Sequence, residues 1–255
     1  MELSEFVDRL DGKLRTDAYA DLDASANGLQ VGPAEATVDH AAFAVDGVLE
    51  TARRAADVDA DVLVVHHGLS WGGIERVTGR SYDRLAPLFA ADVALYVSHL
   101  PLDGHPELGN AAGVADVLGL ADTEPFGELG PEHIGRRGRV PDGTSPEAIR
   151  DRLTAALDTG GEDVRLLPFG PETVEEVAVV TGSGADWLGE AEAVGADLRV
   201  TGEGKGKLYH EAKEARISVV LAGHYATETF GVRALAELVA GWGVETTYLD
   251  VPTGL

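Results

Sequence analysis

DVLVVHHGLSWGG, residues 61–73, is an apolar run that ends in two adjacent histidines and a glycine. A short stretch of Val and Leu bounded by turn-forming residues reads as a strand buried on both faces, the kind found in parallel sheets. Such a strand normally passes into Gly, Asp or Ser, yet here His66 and His67 stand at its end. Side chains alternate along a strand, but at its frayed end both imidazoles can reach one rim. Two readings stand at this point: a polar strand terminus, or part of a ligand set.

Working outward, strands alternate with helices. HAAFAVDG is read as a strand, VLETARRAADV as a helix, SYDRLAPLFAADV as a helix and ALYVSH as a strand leading to the loop LPLDGHPELGN. The helix AAGVADVLGL follows, and then a Gly/Pro/charge-rich stretch, residues 124–145, is taken as the connection between two lobes, 1–123 and 124–255. Beyond it come the helix PEAIRDRLTAAL, the strands VRLLPFG and EEVAVVTGSG, the helix WLGEAEAVGA and the strand DLRVTGEG. The helix KLYHEAKEAR, the strand ISVVLAGH, one long helix ATETFGVRALAELVAGW and a closing strand VETTYLDVP complete the order. This alternation predicts an α/β protein of two similar lobes, with mostly parallel sheets flanked by helices; the ligand-type residues at the strand ends set the expected metal site between the lobes. In open sheets of this type, ligands gather at the carboxyl ends of the strands.

The lobes carry a faint internal repeat. ADVLVVHHG, followed by a helix and VALYVSHLPLD, matches ADLRVTGEG, followed by a helix and SVVLAGHYATE. Superposing the Ala-Asp starts sets His67 opposite Glu203, His99 opposite His224, and Asp103 opposite Glu228. Chance similarity does not usually preserve ligand-type residues.

Composition narrows the chemistry. The 255 residues contain 20 Lys and Arg against 44 Asp and Glu, a formal net charge of −24. The lysines are Lys13, Lys205, Lys207 and Lys213 alone. Depleted lysine and abundant Asp together predict a protein suited to concentrated salt, in which counterions screen the carboxylates. A nucleic-acid partner is disfavoured, because no basic stripe is visible. With no cysteine, disulfides, thiolate zinc sites and Cys nucleophiles are excluded. MELSEFVDRLDGKL reads as a charged amphipathic helix rather than a signal peptide, and no apolar run approaches the ~20 residues that span a bilayer; the expected compartment is the cytoplasm.

His66, His67, His99, Asp103, His224 and Glu228 offer imidazole nitrogen and carboxylate oxygen, a set that suits zinc, manganese, iron or nickel. Adjacent His66 and His67 serve different ions more easily than one, and a carboxylate can bridge two ions as in two-metal hydrolases. Glu203 and His99 are candidate acid–base residues; the bland alternative for Glu203 is a charge at a helix N-terminus. TGSGADW, residues 181–187, is a turn before a helix that could cradle a phosphate. TGEGKGK, residues 201–207, lacks the P-loop spacing and has no Ser or Thr after its lysine, so a nucleotide triphosphate site is rejected there. Ser98 has no G-x-S-x-G elbow around it.

HHGLSWGG, SHLPLDGHPELGN, TGEGKGKLYHEAKE and AGHYATETFGVRAL resemble, in order and spacing, the GTP cyclohydrolase I type 2 homologues, also called NGG1-interacting factor three-like dinuclear-metal proteins. The resemblance spans nearly the whole chain and is closest to the short forms without an inserted domain. It implies two divalent ions, one held by His66, Asp103 and Glu228, the other by His67 and His224 with Glu228 shared. It sets His99 and Glu203 along the site without making them ligands, and it implies a ring-shaped homohexamer. ASANGLQVG departs from the acidic-aromatic entry of many relatives but keeps Asn27. The resemblance implies a metal-dependent hydrolase of a small substrate, with nucleotide-like compounds among the candidates; the alternative is a non-catalytic metal-binding or regulatory scaffold.

Overall fold

The computed structural model describes residues 1–33 and 35–255. The chain divides into two units, one made of Met1–Leu102 with Gly231–Val251 and the other of Asp103–Phe230 with Pro252–Leu255. The first boundary of these units lies at 102/103, whereas 123/124 was expected, and residues 231–251 return to the first unit, where the closing strand pairs.

The first unit is built on strands β1 (Gly28–Val31), β2 (His40–Asp46), β3 (Val62–His67), β4 (Ala94–Val97) and β11 (Glu245–Tyr248), in the order β1-β4-β3-β2-β11. β11, β2, β3 and β4 run parallel, and β1 adds antiparallel at one edge. Helices α1 (Leu3–Leu14), α2 (Leu49–Asp57) and α3 (Arg80–Ala90) follow the predicted pattern. α1 buries Leu3, Phe6, Leu10 and Leu14, the stripe an amphipathic helix lays on a core. The apolar run Val62–Val65 is buried on both faces, as its lack of alternation demands.

The second unit holds β5 (Ala121–Leu129), β6 (Glu132–Thr144), β7 (Arg165–Leu167), β8 (Val174–Val179), β9 (Leu198–Thr201) and β10 (Ser218–Leu221), in the order β5-β6-β8-β9-β10-β7. Its centre, β8-β9-β10, is parallel, and antiparallel strands extend it on both sides. The helices are α5 (Asn110–Leu118), α6 (Pro146–Ala156), α7 (Leu188–Ala193) and α8 (Gly206–Ala215), while the turn α4 (Leu100–Asp103) crosses from the first unit into this one. Val177, Val179, Leu198, Val200 and Val220 form part of its core with Val114, Ile149 and Leu153.

Two readings change. Residues 124–145 are not a connection: they lie largely in the long β5–β6 hairpin at the sheet edge. The long C-terminal helix is also two pieces, α9 (His224–Thr227) and α10 (Thr229–Ala240), interrupted at Glu228.

The internal repeat is visible in hydrogen bonds. Asp61 Oδ2 accepts from the N–H groups of Asp39 and His40, and Asp197 Oδ2 accepts from those of Glu175 and Glu176. Each Ala-Asp start thus ties its own strand to the beginning of the preceding one, β2 or β8. His67 then ends β3, as Glu203 follows β9.

Among the described residues, no helix is long and apolar enough to cross a membrane.

Candidate metal centre

In the first unit, the carboxyl ends of β2, β3 and β4 bring three imidazoles together. The His66–His67, His66–His99 and His67–His99 ring centroids lie 4.6, 5.1 and 5.7 Å apart. Ligand-type atoms of these residues all fall within 4.8 Å of one another. His66 is fully buried and its Nδ1 donates to Ser98 O at 2.9 Å. His67 Nδ1 donates to Asp46 Oδ1 at 2.8 Å, and the β2–β3 register pairs these two residues. His99 Nδ1 donates to Asp23 Oδ1 at 2.9 Å, and its backbone N–H donates to Asn27 Oδ1 at 2.7 Å. In every case the acceptor is a carboxylate or carbonyl oxygen with no proton to give, so Nδ1 must be the N–H.

Asp23 is itself anchored by the N–H groups of Ser25 and Leu100 and by the Asn27 amide. Burial pushes its carboxyl up, but the His99 hydrogen bond and charge, with Asn27 and the Ser25 N–H, hold it below the usual range. Trp71, nearly half exposed, stands edge-on to His99 with centroids 5.0 Å apart.

In the second unit, Asp103 ends α4, is buried, and accepts from Asn110 Nδ2 at 2.8 Å and Thr181 Oγ1 at 3.3 Å. His224 opens α9 and Glu228 follows its end, so His224 Nε2 and Glu228 Oε1 lie 3.3 Å apart. On the other ring edge, His224 Nδ1 lies 3.4 Å from Glu203 Oε1, and the Ser183 hydroxyl donates to the same Glu203 oxygen. Burial would lower the His224 pKa, but Glu228 and Glu203 outweigh it and raise the imidazole to about 9.

Gly182 completes this cradle. Its φ is +54°, and a Cβ there would overlap Glu228 Oε1 and come within 3.1 Å of His224 Nε2. Only glycine combines the left-handed backbone with so close an approach.

The donor set fits a divalent ion. It offers imidazole nitrogens whose second nitrogen is already committed, together with buried carboxylates, and no soft ligand. The sequence-derived candidates therefore sort by unit: His66, His67 and His99 meet in the first, while Asp103, His224, Glu228 and Glu203 lie in the second. Asp23, Asp46 and Asn110 were not singled out, and Thr181 and Gly182 were read only as part of a phosphate turn. Asp46 and Gly182 did have a signal, since both lie in the strand-end segments that precede the two repeat starts.

The turn at 181–187 does not suit a phosphate, because Ser183 is engaged by Glu203 and Gly182 faces Glu228. The lysines of TGEGKGK are likewise occupied: Lys205 and Lys207 pair with Asp186.

The chain is similar to known proteins over its whole length. Residues 1–253 match the model of the family described as Duf34/NIF3 (NGG1p interacting factor 3). The chain is 58% identical to a protein of Halobacterium salinarum named GTP cyclohydrolase 1 type 2 homolog, with 100% of each chain covered. It is 42% identical to a protein of the same name from Archaeoglobus fulgidus, again over 100% of each. The crystal structure of TTHA1606 from Thermus thermophilus superposes with a TM-score of 0.88 at 41% identity, covering 100% of both chains.

Proposed function

The chain belongs to the Duf34/NIF3 family, and from that premise we propose that it is a dinuclear metal-binding protein acting as a metal-dependent hydrolase in the cytoplasm. His66, Asp103 and Glu228 would hold one ion, and His67 and His224, with Glu228 shared, would hold the other. The observation that carries this reading is that the imidazoles at the strand ends have Nδ1 against a fixed oxygen, which leaves Nε2 as the lone-pair nitrogen of His66 and His67. When bound, such ions supply Lewis acidity and make water acidic enough to yield a nucleophile near neutral pH.

The chain's own groups do the rest. Asn110 and Thr181 donate to Asp103 and hold its carboxylate in one orientation. Gly182 keeps the space beside Glu228 open. His99, fixed by Asp23, is the residue that moves a proton, at Nε2. Glu203 is engaged with Ser183 and faces the His224 ring. Trp71 offers a half-exposed indole beside these rings, which suits a small planar, nucleotide-like substrate.

Protein reconstituted separately with Zn, Mn, Fe and Ni, and assayed on phosphoesters, cyclic amides and nucleotides, is expected to turn over at least one class. Tight metal binding without turnover on any of them would replace the hydrolase by the scaffold reading. The proposal includes a homohexamer. Ile74, Val77, Tyr82 and Phe89 are exposed large hydrophobics within one stretch of the first unit, a surface that association can cover. Light scattering in molar salt tests the assembly, and a monomer there would contradict it.

A further inference from the structure

The four imidazoles described above share one feature across both units: Nδ1 always faces an oxygen acceptor set by the fold. The distances are 2.9 Å for His66 to Ser98 O, 2.8 Å for His67 to Asp46, 2.9 Å for His99 to Asp23 and 3.4 Å for His224 to Glu203. Asp23 is buried and Asp46 largely so, while Glu203 is half exposed. Asp46 ends a buried strand in register with His67, and Asp23 receives further hydrogen bonds from Ser25, Leu100 and Asn27. Glu203 is held through its backbone N–H to Gly182 O. Sequence spacing does not relate Asp23 to His99, yet the fold reproduces the arrangement around each ring.

We propose that Asp46 and Asp23 are positioning residues: they hold the proton on Nδ1 of His67 and His99 before any ion arrives, so that Nε2 is preset as the atom each ring presents; Glu203 faces Nδ1 of His224 in the same sense, with Glu228 facing that ring's Nε2. Such outer carboxylates fix both the tautomer and the plane of an imidazole and raise its basicity. The arrangement assigns Glu203 to His224 rather than to a substrate. It also makes His99 a ring prepared in the same sense as the metal-binding histidines. The effect on metal affinity rests on the metal-binding reading above, whereas the effect on the rings does not.

The test uses metal-free, ¹⁵N-labelled full-length protein above the ordinary imidazole titration range. Long-range ¹H–¹⁵N spectra of the rings are expected to show the Nδ1–H form for His67 and His99. Asp46→Ala should convert His67, and only His67, toward the Nε2–H form that unconstrained imidazole favours. Asp46→Asn, which keeps an acceptor oxygen, should restore Nδ1–H. Asp23→Asn is the corresponding variant for His99 and retains an oxygen for its other donors. In chelator competition, Asp46→Ala should bind zinc about 10–100-fold more weakly than the wild type, with Asp46→Asn in between. Nε2–H rings in the wild type would overturn the proposal, as would an Asp46→Ala protein with unchanged tautomer and unchanged zinc affinity. If Asp46→Ala does not fold, the wild-type and Asp46→Asn spectra decide. A wild type that takes up no zinc yet shows Nδ1–H rings would sink the metal-binding reading and leave the positioning role supported.

Discussion

Arg199 lies fully buried on β9, between Leu198 and Val200, which belong to the apolar core. Its Nη1 donates to Ala185 O at 3.2 Å, while among the described residues Nε and Nη2 have no hydrogen-bond partner. Burial depresses the guanidinium pKa to about 10, against the favourable charges of Asp186 and Glu190. A buried cation with two unmet donors costs more than a well-packed apolar chain of similar length. Arg199→Met is therefore expected to stabilise the protein by about 1–4 kcal/mol in urea unfolding at fixed KCl, and a clear loss of stability would show that the charge is compensated. At this same scale the site was partly legible. His66, His67, His99 and His224 stood out because a histidine at the end of an apolar strand is chemically conspicuous. Asp23 and Asp46 did not, because one Asp among 44 acidic residues carries no signal until the fold sets it against a ring.

At the scale of elements, the central strands were legible because uninterrupted Val and Leu runs have one stable fate, a strand covered on both faces. The β5–β6 hairpin was not, since its Gly, Pro and charges imitate a linker. The structure gives the reason: β5 is an edge strand with solvent on its flank, so charge there protects against further pairing. Gly135, inside β6, allows close approach of the neighbouring chain; a Cβ at this position would overlap Val179 O and lie 2.8 Å from Val180 Cγ2. A glycine inside a strand marks such an approach as readily as a loop. Gly135→Ala is expected to cost about 1–3 kcal/mol by the same unfolding measurement, and a neutral result would mean that the hairpin is not packed in this way. The break at Glu228 was equally hidden. Helical periodicity continues through it, and only the interrupted backbone (φ −104°, ψ 3°) reveals that the residue lies between two helices.

At the scale of the whole molecule, the net charge of −24 sets the solution behaviour. Unscreened, these carboxylates repel one another and favour an expanded chain; at molar salt the screening length falls to roughly 3 Å and the penalty is largely removed. The melting temperature is expected to rise by several degrees between low and multi-molar KCl, and a flat profile would contradict adaptation to concentrated salt. The proposed two-ion centre was legible chiefly through the repeat, which sets Asp103 opposite Glu228 and His99 opposite His224, together with the resemblance to a known family. Its supporting shell became visible only in three dimensions. The most direct test of the whole account is metal analysis of the purified, reconstituted protein beside Glu228→Gln and His67→Ala. A carboxylate offering one oxygen to each ion also offsets their mutual repulsion, which no single imidazole does. The wild type should therefore hold two ions per chain, His67→Ala should lose mainly one, and Glu228→Gln should lose both together; two ions retained in Glu228→Gln would contradict a shared centre.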